Sequence, residues 1–441
     1  MAGRNENAEP ASALRPGQPF LTVNGRRGTV GPLLGAGGQG ECYQALVDGL
    51  PFALKWYHRH YVAIDTGLRA RLESAVRRGA PTADFLWPFD LVEIEGSGSF
   101  GYFMPLRSDD YVGMRDLIAP PPRRIELSLA RRAEICLQIS HSFLELHASG
   151  FCYQDINFGN IFLDPRTGRI LICDNDNVNV DGAEASIYGT RKFMAPEVVR
   201  REALPTSRTD LYSMAVLFFY TLLGWHPLDG RREHDVGLMD AEAELRLYGT
   251  DPLFLFDPAN DSNGPVEGFH DAITARWHSL PGRVRALFTR AFTLGLGDPG
   301  ARVLETQWRN ALAAMADSVH SCDACGFEHA AETRSGRVTA HAHCLACAAA
   351  LPPPMFLLVG DKAQRLELGR TAQDEAARVE AHPTRPDLLG LRNLSATAWS
   401  AGLPDGSAHS VPPGQAVRLL PGLRIDFGQV RGIVMVAETA A

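Results

Sequence analysis

A carboxylate and an amide stand five residues apart in the stretch FCYQDINFGNIFLD, residues 151–164. They are Asp155 and Asn160, and the apolar pair Ile161–Phe162 follows at once, as at the start of a buried strand. In a loop that ends at a strand, both side chains can line one end of the loop and face one ligand. The alternative is an ordinary polar turn, because Asp, Asn and Gly are common turn residues. The spacing alone leaves both interpretations open.

Four cysteines form a second set whose types and spacing allow chemistry. They occur as CDAC and CLAC, in the pattern C-x2-C-x18-C-x2-C: Cys322, Cys325, Cys344 and Cys347. Two such pairs can bring four thiolates to one tetrahedral ion, so the spacing predicts a zinc site. A site with four cysteine ligands leaves no open position, which favours a structural role. Unliganded thiols or two redox pairs are the alternatives. The nearby His341 and His343 could replace a cysteine as a ligand, but we expect them to lie at the surface.

A glycine-rich stretch near the start of the chain adds a candidate phosphate site. In LLGAGGQGECYQA, Gly35, Gly37 and Gly40 form the pattern G-x-G-x-x-G. Dinucleotide-binding folds follow this pattern with a helix, whereas the pattern of residues 41–57 here predicts two strands joined by a turn. A glycine loop between two strands can lie over a triphosphate and offer it backbone N–H groups. Lys55, in the second strand, is then a candidate phosphate ligand.

Hydrophobic periodicity indicates the elements that must position these side chains. Strand patterns cover residues 29–57 and 90–106, and helical patterns cover 66–79, 125–150 and 208–317. After the prolines at 352–354, short apolar runs separated by Gly, Pro and Asn turns predict an all-β segment. The cysteine-rich segment of about 30 residues lies between these regions and is too short for a core of its own. We therefore expect a metal to stabilise it.

Length and composition limit the class of protein. The chain has 441 residues, 45% hydrophobic and 21% charged, the mix of a globular protein with an ample core. The net charge of −8 argues against nucleic acid or an anionic membrane as the main partner. The longest apolar stretch, residues 214–225, is too short to cross a bilayer, and the polar N-terminus lacks a signal-peptide core. We expect a cytoplasmic protein in which residues 1–27 are a disordered tail and lead-in.

Over about residues 28–317 the chain resembles a eukaryotic-type (Hanks-type) serine/threonine protein kinase of bacterial type. The matches, in that family's order, are the glycine loop, Lys55, Glu73 in the next helix, Asp155 and Asn160 as D-x-x-x-x-N, Asp174 in LICDNDNV, Thr190, the triplet Ala195-Pro196-Glu197, Asp210 and Arg302. The resemblance implies a bilobal α+β fold that transfers the γ-phosphate of ATP to Ser or Thr hydroxyls of protein substrates. Small-molecule kinases, the alternative among enzymes, usually lack the triplet.

The resemblance also implies a role for each matched polar residue. Asp174 and Asn160 would hold Mg²⁺ (or Mn²⁺), a hard ion that prefers oxygen ligands. Asp155 would accept a hydrogen bond from the acceptor hydroxyl and orient it. Lys55, held by an ion pair with Glu73, would anchor the α- and β-phosphates.

Further roles implied by the resemblance concern the nucleotide pocket and its supports. Backbone groups of the glycine loop would contact the phosphates. Met104 would border the adenine pocket, and the backbone of residues 105–107, which includes Leu106, would form the hinge. Asp210 would brace the catalytic loop, and Arg302 would pair with the glutamate of the triplet.

Several positions depart from the kinase pattern. The usual His-Arg-Asp reads Tyr153-Gln154-Asp155, the usual lysine is Asn157, and the usual Asp-Phe-Gly reads Asp174-Asn175-Asp176. Gln154 cannot make the charge pair by which an arginine reads a phosphorylated activation loop. Asp176 is a candidate second metal ligand. These departures keep a second function open, a catalytically weak or silent pseudokinase scaffold that binds nucleotide and partners.

The last segment, residues 355–441, resembles a forkhead-associated β-sandwich. It carries Gly369-Arg370 and the pattern L-x-x-G-x-x-I-x-x-G in residues 419–428. That family binds phosphothreonine peptides, so the resemblance implies a phosphatase or phosphoprotein partner. The family's Ser-x-x-His clamp is missing, because no serine occurs between Arg370 and Asn393. We predict the sandwich fold and leave its phosphopeptide role open.

The predicted organisation is therefore an α+β kinase domain followed by two small modules. The boundaries are a tail and lead-in at 1–27, a kinase domain at 28–317, a zinc ribbon at 320–350 and a forkhead-associated-like β-sandwich at 355–441. The expected cofactors are ATP, Mg²⁺ or Mn²⁺, and structural Zn²⁺.

Overall fold

A computed structural model describes residues 13–182 and 188–440. Contacts group the chain into two units. Unit 1 contains the residues up to 125 together with 141–217 and 248–250, and unit 2 contains 126–140, 218–247 and the residues from 251 onward. The division falls inside the predicted kinase domain, whose boundaries remain a prediction.

Six strands of unit 1 close into an antiparallel barrel. They are β1 (Pro19–Thr22), β2 (Arg27–Ala36), β3 (Gly40–Val47), β4 (Leu50–Tyr57), β5 (Asp90–Glu93) and β6 (Phe100–Pro105). The strand order around the barrel is β1-β2-β3-β4-β6-β5. Apolar side chains fill its interior, with Tyr43, Leu54 and Phe103 fully buried. The glycine-rich stretch joins β2 to β3, and Lys55 lies on β4 opposite Tyr102 of β6.

The lead-in segment is more ordered than the sequence suggests. β1 lies within the segment expected to be a tail, and it pairs with both β2 and β5. Leu14 is buried, and its backbone N–H donates to the hydroxyl of Tyr43 at 3.0 Å. Burial of Leu14 and Phe20 in the barrel core, together with the pairing of β1, opposes the entropy cost of ordering this stretch. Within the segment expected to be a disordered tail and lead-in, 1–27, the chain is therefore ordered from residue 13 onward, and residues 1–12 lie outside the described ranges.

The other elements of unit 1 are short, apart from three helices. They are α1 (Arg59–Ile64), α2 (Leu68–Arg78), β7 (Val112–Gly113), α3 (Leu129–Ala148), β8 (Phe151–Cys152), β9 (Ile161–Leu163), β10 (Ile170–Ile172), β11 (Asn179–Val180), α4 (Pro196–Val199) and α5 (Ser207–Leu223), with 3₁₀ turns at Met114–Leu117 and Asn175–Asn177. The residues of α3 and α5 are divided between the two units. Helix α2 buries Leu68, Leu72 and Ala75, at helical spacing, and Gly79 ends it with φ 78°.

Unit 2 begins with a helical region around an aromatic core. Its helices are α6 (Arg231–His234), α7 (Ala241–Leu245), α8 (Asp271–Ser279), α9 (Gly282–Phe292), α10 (Leu294–Gly297) and α11 (Glu305–Ser318), with 3₁₀ turns at Asp261–Asn263 and Pro299–Ala301. The residues of the π-helical turn Arg246–Thr250 are divided between the two units. The ring of Phe219 lies edge-on to Phe254, Phe288 and Phe292, at 5.1 to 5.9 Å between centroids. No helix in the described ranges combines the length and the apolar character needed to span a membrane.

The C-terminal part of unit 2 contains only strands, which agrees with the all-β prediction. They are β12 (Val319–Ser321), β13 (Glu328–Ala330), β14 (Glu332–Arg334), β15 (Arg337–His341), β16 (Met355–Val359), β17 (Lys362–Arg365), β18 (Thr371–Ala372), β19 (Ala377–His382), β20 (Arg385–Asn393), β21 (Trp399–Gly402), β22 (Ala408–Val411), β23 (Ala416–Arg418), β24 (Arg424–Asp426), β25 (Arg431–Val436) and β26 (Glu438–Ala440).

Two of these sheets face each other as a sandwich. One has the order β17-β16-β25-β24-β21-β22 and the other β18-β19-β20-β23. Leu357, Ala401 and Ile425 of the first sheet share a buried core with Val379 and Leu391 of the second. Strands β12 and β13 pair beside the cysteines, and β14-β15 forms a hairpin that β26 extends in parallel.

Candidate active site and cysteine cluster

Asp155 and Asn160 lie on the loop between β8 and β9, as their spacing suggests. The side-chain amide of Asn160 donates to the backbone carbonyl of Asp155 at 2.9 Å and to its carboxylate at 3.2 Å. Asp210 is 1% exposed and accepts the backbone N–H groups of Tyr153 at 2.6 Å and Gln154 at 3.0 Å. A buried carboxylate with two N–H donors fixes the loop firmly. This is the brace expected for Asp210, and the plain polar turn does not account for it.

The carboxylate of Asp155 is already paired with a hydroxyl. Thr190 donates its hydroxyl proton to Asp155 Oδ1 at 2.7 Å, and the amide of Asn157 donates to Thr190 Oγ1 at 2.9 Å. Asp155 can therefore receive a hydroxyl group at hydrogen-bond distance, which is the geometry that an acceptor hydroxyl requires. Asn157 occupies the place of the missing lysine and contributes a hydrogen bond without a charge.

Two carboxylates, Asp174 and Asp176, follow β10 but differ in accessibility. Asp174 has φ 52°, and its side chain is 44% exposed, whereas the side chain of Asp176 is 1% exposed. Partial removal of the Asp174 carboxylate from water raises its pKa, although the positive charge of Lys55 acts in the opposite direction. Because metal ligation needs an accessible oxygen, Asp174 fits a magnesium ligand and Asp176 does not.

Lys55 is the charged centre of this site. Its Nζ lies 2.8 and 2.9 Å from the two carboxylate oxygens of Asp176, 3.4 Å from Asp174 Oδ1 and 2.9 Å from the amide oxygen of Gln39. Burial alone would lower the pKa of Lys55, but the two aspartates outweigh it and raise the pKa. Lys55 is therefore a fixed positive charge close to the proposed metal ligand.

Glu73 is not the partner of Lys55 among the described residues, so the expected ion pair is wrong. Glu73 accepts instead from Arg69 Nε at 3.0 Å, one turn earlier on α2, and its side chain is 42% exposed. Arg69 also pairs with Glu93 at 2.5 Å. The local i,i+4 pair on the surface of α2 keeps Glu73 outside the site.

The three glycines of the loop lie where the strand–turn–strand interpretation expects them. Gly35 is on β2, Gly37 is in the turn and Gly40 begins β3. A Cβ atom at Gly40 would collide with the carbonyl oxygen of Trp56, so this position requires glycine. Gln39 was not recognised from the sequence, yet it reaches Lys55 from the tip of this turn.

The predicted adenine-pocket residues lie next to one another at the end of β6. Met104 is 7% exposed and belongs to a buried cluster with Ala53, which it faces across β4 and β6. Leu106 and Leu171 pack against the same cluster. These apolar side chains suit the faces of an adenine ring, and the hinge role of Leu106 remains a prediction.

The four cysteines come together as their spacing predicts. Their sulfur atoms all lie within 4.8 Å of one another, with 3.7 Å between Cys322 and Cys347 and 3.6 Å between Cys325 and Cys344. Four sulfurs about 2.3 Å from one tetrahedral ion are about 3.8 Å apart, whereas disulfide sulfurs are about 2.05 Å apart. The donor set and its spacing therefore fit Zn²⁺.

Both cysteine pairs adopt the same backbone turn. The N–H of Cys322 donates to the carbonyl of Phe327 at 2.9 Å, and the N–H of Cys344 donates to that of Ala349 at 2.8 Å. The residue after the second cysteine of each pair has a left-handed backbone, φ 75° at Gly326 and φ 59° at Ala348. Such turns aim backbone N–H groups at the sulfurs. Burial would raise the pKa of the Cys344 thiol, but N–H groups and neighbouring thiols lower it to about 7.

A row of three histidines lies on the strands beside the cysteines. The ring centroid of His329 lies 5.7 Å from that of His320 and 5.5 Å from that of His341. His329 is fully buried, and neither of its ring nitrogens has a hydrogen-bond partner in the described part of the chain. Burial, and to a lesser extent the two neighbouring rings, lower its pKa from 6.5 to about 4. The expected surface position of His341 holds in part, since its ring is half-buried and contacts the carbonyl of His278 at 3.1 Å.

We expect His329 to make the protein less stable in mild acid. The unfolded chain binds a proton at His329 below about pH 6.5, whereas the folded chain does so only near pH 4. The free energy of unfolding is therefore not reduced by His329 above pH 6.5. It falls as the pH falls, by about 2 kcal/mol at pH 5. Urea unfolding at pH 7.5 and pH 5 checks this, with His329→Phe as the comparison. The parent should lose about 2 kcal/mol more than the variant, and equal losses would contradict the assignment.

Arg370 and Arg302 have definite partners within unit 2. Arg370, the predicted forkhead-associated arginine, donates to the carbonyl of Ala316 on α11 at 3.1 Å. Arg302 is 1% exposed and donates to the carbonyl of Gly295 at 3.0 Å. The pairing of Arg302 with Glu197 stays a prediction.

Comparison with known proteins places this site in a recognised domain. Residues 103–261 match the family model of the protein kinase domain, a stretch that contains Asp155, Asn160 and Asp174 and begins after Lys55. The chain is 30% identical over 168 residues to CBL-interacting protein kinase 4 of Oryza sativa subsp. japonica. It is 34% identical over 170 residues to ribosomal protein S6 kinase alpha-2 of Homo sapiens, and 35% identical over 99 residues to the serine/threonine-protein kinase SCH9 of Candida albicans.

These alignments cover limited parts of the proteins. They include 34%, 34% and 22% of this chain, in the same order, and 36%, 22% and 12% of the relatives. The chain thus spans about a third or less of the length of these relatives. The matches show a protein kinase domain whose relatives include serine/threonine kinases.

Proposed function

We propose that this protein is an ATP-dependent serine/threonine protein kinase of the bacterial Hanks type. The observation that carries the proposal is the arrangement around Asp155, whose carboxylate receives the hydroxyl of Thr190 while Asn160 and Asp210 hold its loop. A hydroxyl-accepting carboxylate, an accessible second carboxylate at Asp174 and a buried lysine are the parts that phosphoryl transfer needs.

Each of the candidate site residues has one role in that reaction. Asn160 and Asp174 have the oxygen ligands that would hold Mg²⁺ or Mn²⁺, which supplies positive charge to the phosphates when bound. Lys55 holds the α- and β-phosphates through its fixed charge. Asp155 accepts the hydrogen bond of the incoming Ser or Thr hydroxyl and orients its oxygen for attack. The backbone of the glycine loop covers the phosphates and limits the access of water.

The decisive test is transfer of the γ-phosphate by the purified full chain. With ATP that carries a radioactive γ-phosphate, and with Mg²⁺, we expect label on the protein itself and on a generic Ser/Thr substrate, as phosphoserine or phosphothreonine. ATP·Mg²⁺ binding without any transfer would favour the pseudokinase scaffold. Transfer to small molecules alone would favour a small-molecule kinase.

Activity should depend little on phosphorylation of the activation segment. Gln154, which replaces the usual arginine, is 7% exposed, and its side-chain amide contacts the sulfur of Cys152 at 3.7 Å. It is uncharged and cannot pair with a phosphate on Tyr188 or Thr190. Ser186, a third candidate acceptor, lies outside the described residues. Phosphatase-treated enzyme should keep most of its rate, and loss of most activity would contradict this expectation.

The C-terminal segment is proposed to carry a structural zinc ribbon and a forkhead-associated-like sandwich that recruits a protein partner. The support is the cluster of four cysteines and the two facing sheets. A phosphatase or phosphoprotein partner is part of the proposal, as is a cytoplasmic location. Because Arg370 is engaged with the carbonyl of Ala316, phosphopeptide binding through Arg370 would have to displace that contact. The predicted domain boundaries and the substrate class, proteins with Ser or Thr acceptors, belong to the same proposal.

A further inference from the structure

The phosphate-binding lysine has an unexpected anchor. Both carboxylate oxygens of Asp176 lie within 2.9 Å of Lys55 Nζ, and this pair is almost completely shielded from water. Lys55 is 121 residues away in sequence, on strand β4, so the pair joins the barrel to the turn that follows β10. Glu73, the only glutamate of α2, faces away and pairs with Arg69.

Two tyrosines complete the environment of Asp176. Tyr57 donates its hydroxyl proton to Asp176 Oδ2 at 2.7 Å, and Tyr102 donates to Oδ1 at 3.4 Å. Both tyrosines are fully buried and come from neighbouring barrel strands. A buried carboxylate is tolerated when a cation and hydrogen-bond donors surround it, and here one cation and two hydroxyls do so. Each oxygen thus contacts Lys55 and one tyrosine, which leaves Asp176 poorly placed to bind a metal ion.

The turn that carries Asp176 is also fixed by its neighbour. Asn175 is 1% exposed, and its amide donates to the backbone carbonyls of Leu86 at 2.8 Å and Ile172 at 3.1 Å. These bonds hold the 3₁₀ turn Asn175–Asn177 against two other segments of unit 1. Asp174, the accessible carboxylate, immediately precedes this turn.

We infer that Asp176 positions Lys55 for binding phosphate, in the role that Glu73 was expected to play. The expected effect on the rate of phosphoryl transfer rests on the proposed function. The expected effect on nucleotide affinity requires only that the protein binds nucleotide. One short segment, residues 174–176, then sets both the metal ligand and the phosphate-binding lysine. In kinases that hold the lysine through a helix glutamate, movement of that helix controls the pair. Here Lys55 is paired with Asp176, whereas the glutamate of α2 is paired with Arg69.

The test compares Asp176→Asn with Glu73→Gln in the full chain. Loss of a charged hydrogen-bond partner corresponds to about 10- to 100-fold in binding or rate. We expect Asp176→Asn to weaken the affinity for N-methylanthraniloyl-ATP by that factor, with and without Mg²⁺, and to lower kcat/KM as much or more. Glu73→Gln, which changes an exposed pair, should alter both by less than about twofold. A loss from Glu73→Gln equal to that from Asp176→Asn would overturn the inference.

A double-mutant cycle separates positioning from a general structural role. If Asp176 acts on nucleotide through Lys55, Asp176→Asn should weaken binding in the parent and have little further effect in the Lys55→Met background. Equal losses in both backgrounds would overturn the inference. So would a loss seen only with Mg²⁺, because that result identifies Asp176 as a metal ligand.

A further variant keeps the test decisive if Asp176→Asn does not fold. Tyr57→Phe removes one hydroxyl from Asp176 and keeps its charge, so it should weaken nucleotide binding less than Asp176→Asn does. If Asp176→Asn does not fold, this variant still decides the question, since unchanged nucleotide affinity in Tyr57→Phe would overturn the inference. The parent protein could bind nucleotide, and the double-mutant cycle could give the expected result, without any transfer of phosphate. That outcome would refute the kinase proposal and still support the role of Asp176 in positioning Lys55.

Discussion

Asp174→Asn is expected to abolish phosphoryl transfer, whereas Asp155→Asn should slow it by about 10²–10⁴-fold and leave ATP affinity close to that of the parent. Asp174 is the accessible carboxylate beside Lys55, so an amide there removes negative charge from the metal site itself. Asp155 contacts the hydroxyl of Thr190 and the amide of Asn160, and its carboxylate has no bond to Lys55 among the described contacts. Its loss should therefore raise the chemical barrier, by roughly 3–5 kcal/mol.

The fold should tolerate the change at Asp155 for a simple reason. In Asp155→Asn, the side-chain oxygen can still accept from Asn160, and the hydroxyl of Thr190 can rotate to accept from the new amide. Lys55→Met should fall between the two aspartate variants, because it loses phosphate orientation and keeps the metal site. The measurements are γ-phosphate transfer to the protein and to a Ser/Thr substrate, nucleotide affinity and melting temperature. If both aspartate variants transfer phosphate as fast as the parent, the assignment of these residues is wrong.

Short-range spacing explains which parts of the site the sequence could predict. Asp155 and Asn160 are five residues apart in one loop, so their meeting depends on a single turn and the strand that follows. The same holds for each C-x-x-C pair, where one left-handed turn brings two sulfurs together. The all-β character of the last segment could also be predicted, because short apolar runs between Gly, Pro and Asn turns are typical of strands.

Long-range packing decided the features that the sequence did not reveal. Glu73 was the natural partner for Lys55 because of its helix, yet the direction of a side chain on α2 depends on which face the helix buries. Leu68, Leu72 and Ala75 are buried, and Glu73 is left on the solvent side with Arg69. Asp176 was a candidate second metal ligand, because nothing in its neighbourhood in the sequence shows that Tyr57 and Tyr102 surround it. Polar residues from three distant segments converge there, and no local pattern records their meeting.

The purified protein is expected to carry about one Zn²⁺ per chain, and Cys325→Ser should lose it and unfold the segment around the cysteines. The hydrophobic cluster at the site has only three buried members, Cys322, Cys344 and Leu351, with Phe327 and Ala349 partly buried against them. So small a cluster supplies a few kcal/mol, whereas structural zinc in comparable small sites contributes about 10–16 kcal/mol. A bound Zn²⁺ would therefore be the main source of stability for this segment, and its removal should outweigh any single side-chain change nearby.

Removal of zinc is expected to unfold only the segment around the cysteines. Residues 319–351 should become sensitive to protease and to hydrogen exchange in Cys325→Ser, or in the parent after chelation. Nucleotide affinity should stay near the parental value, because the residues proposed to bind nucleotide belong to unit 1. Cys42→Ser is the matched control, since Cys42 lies on β3 and outside the cluster, and it should keep the zinc. Elemental analysis that finds no zinc, together with four freely titrating thiols in a folded tail, would refute the site. Zinc retained in Cys325→Ser at the parental level would show that Cys325 is not a ligand, because a tetrahedral site deprived of one of four thiolates binds its ion far more weakly.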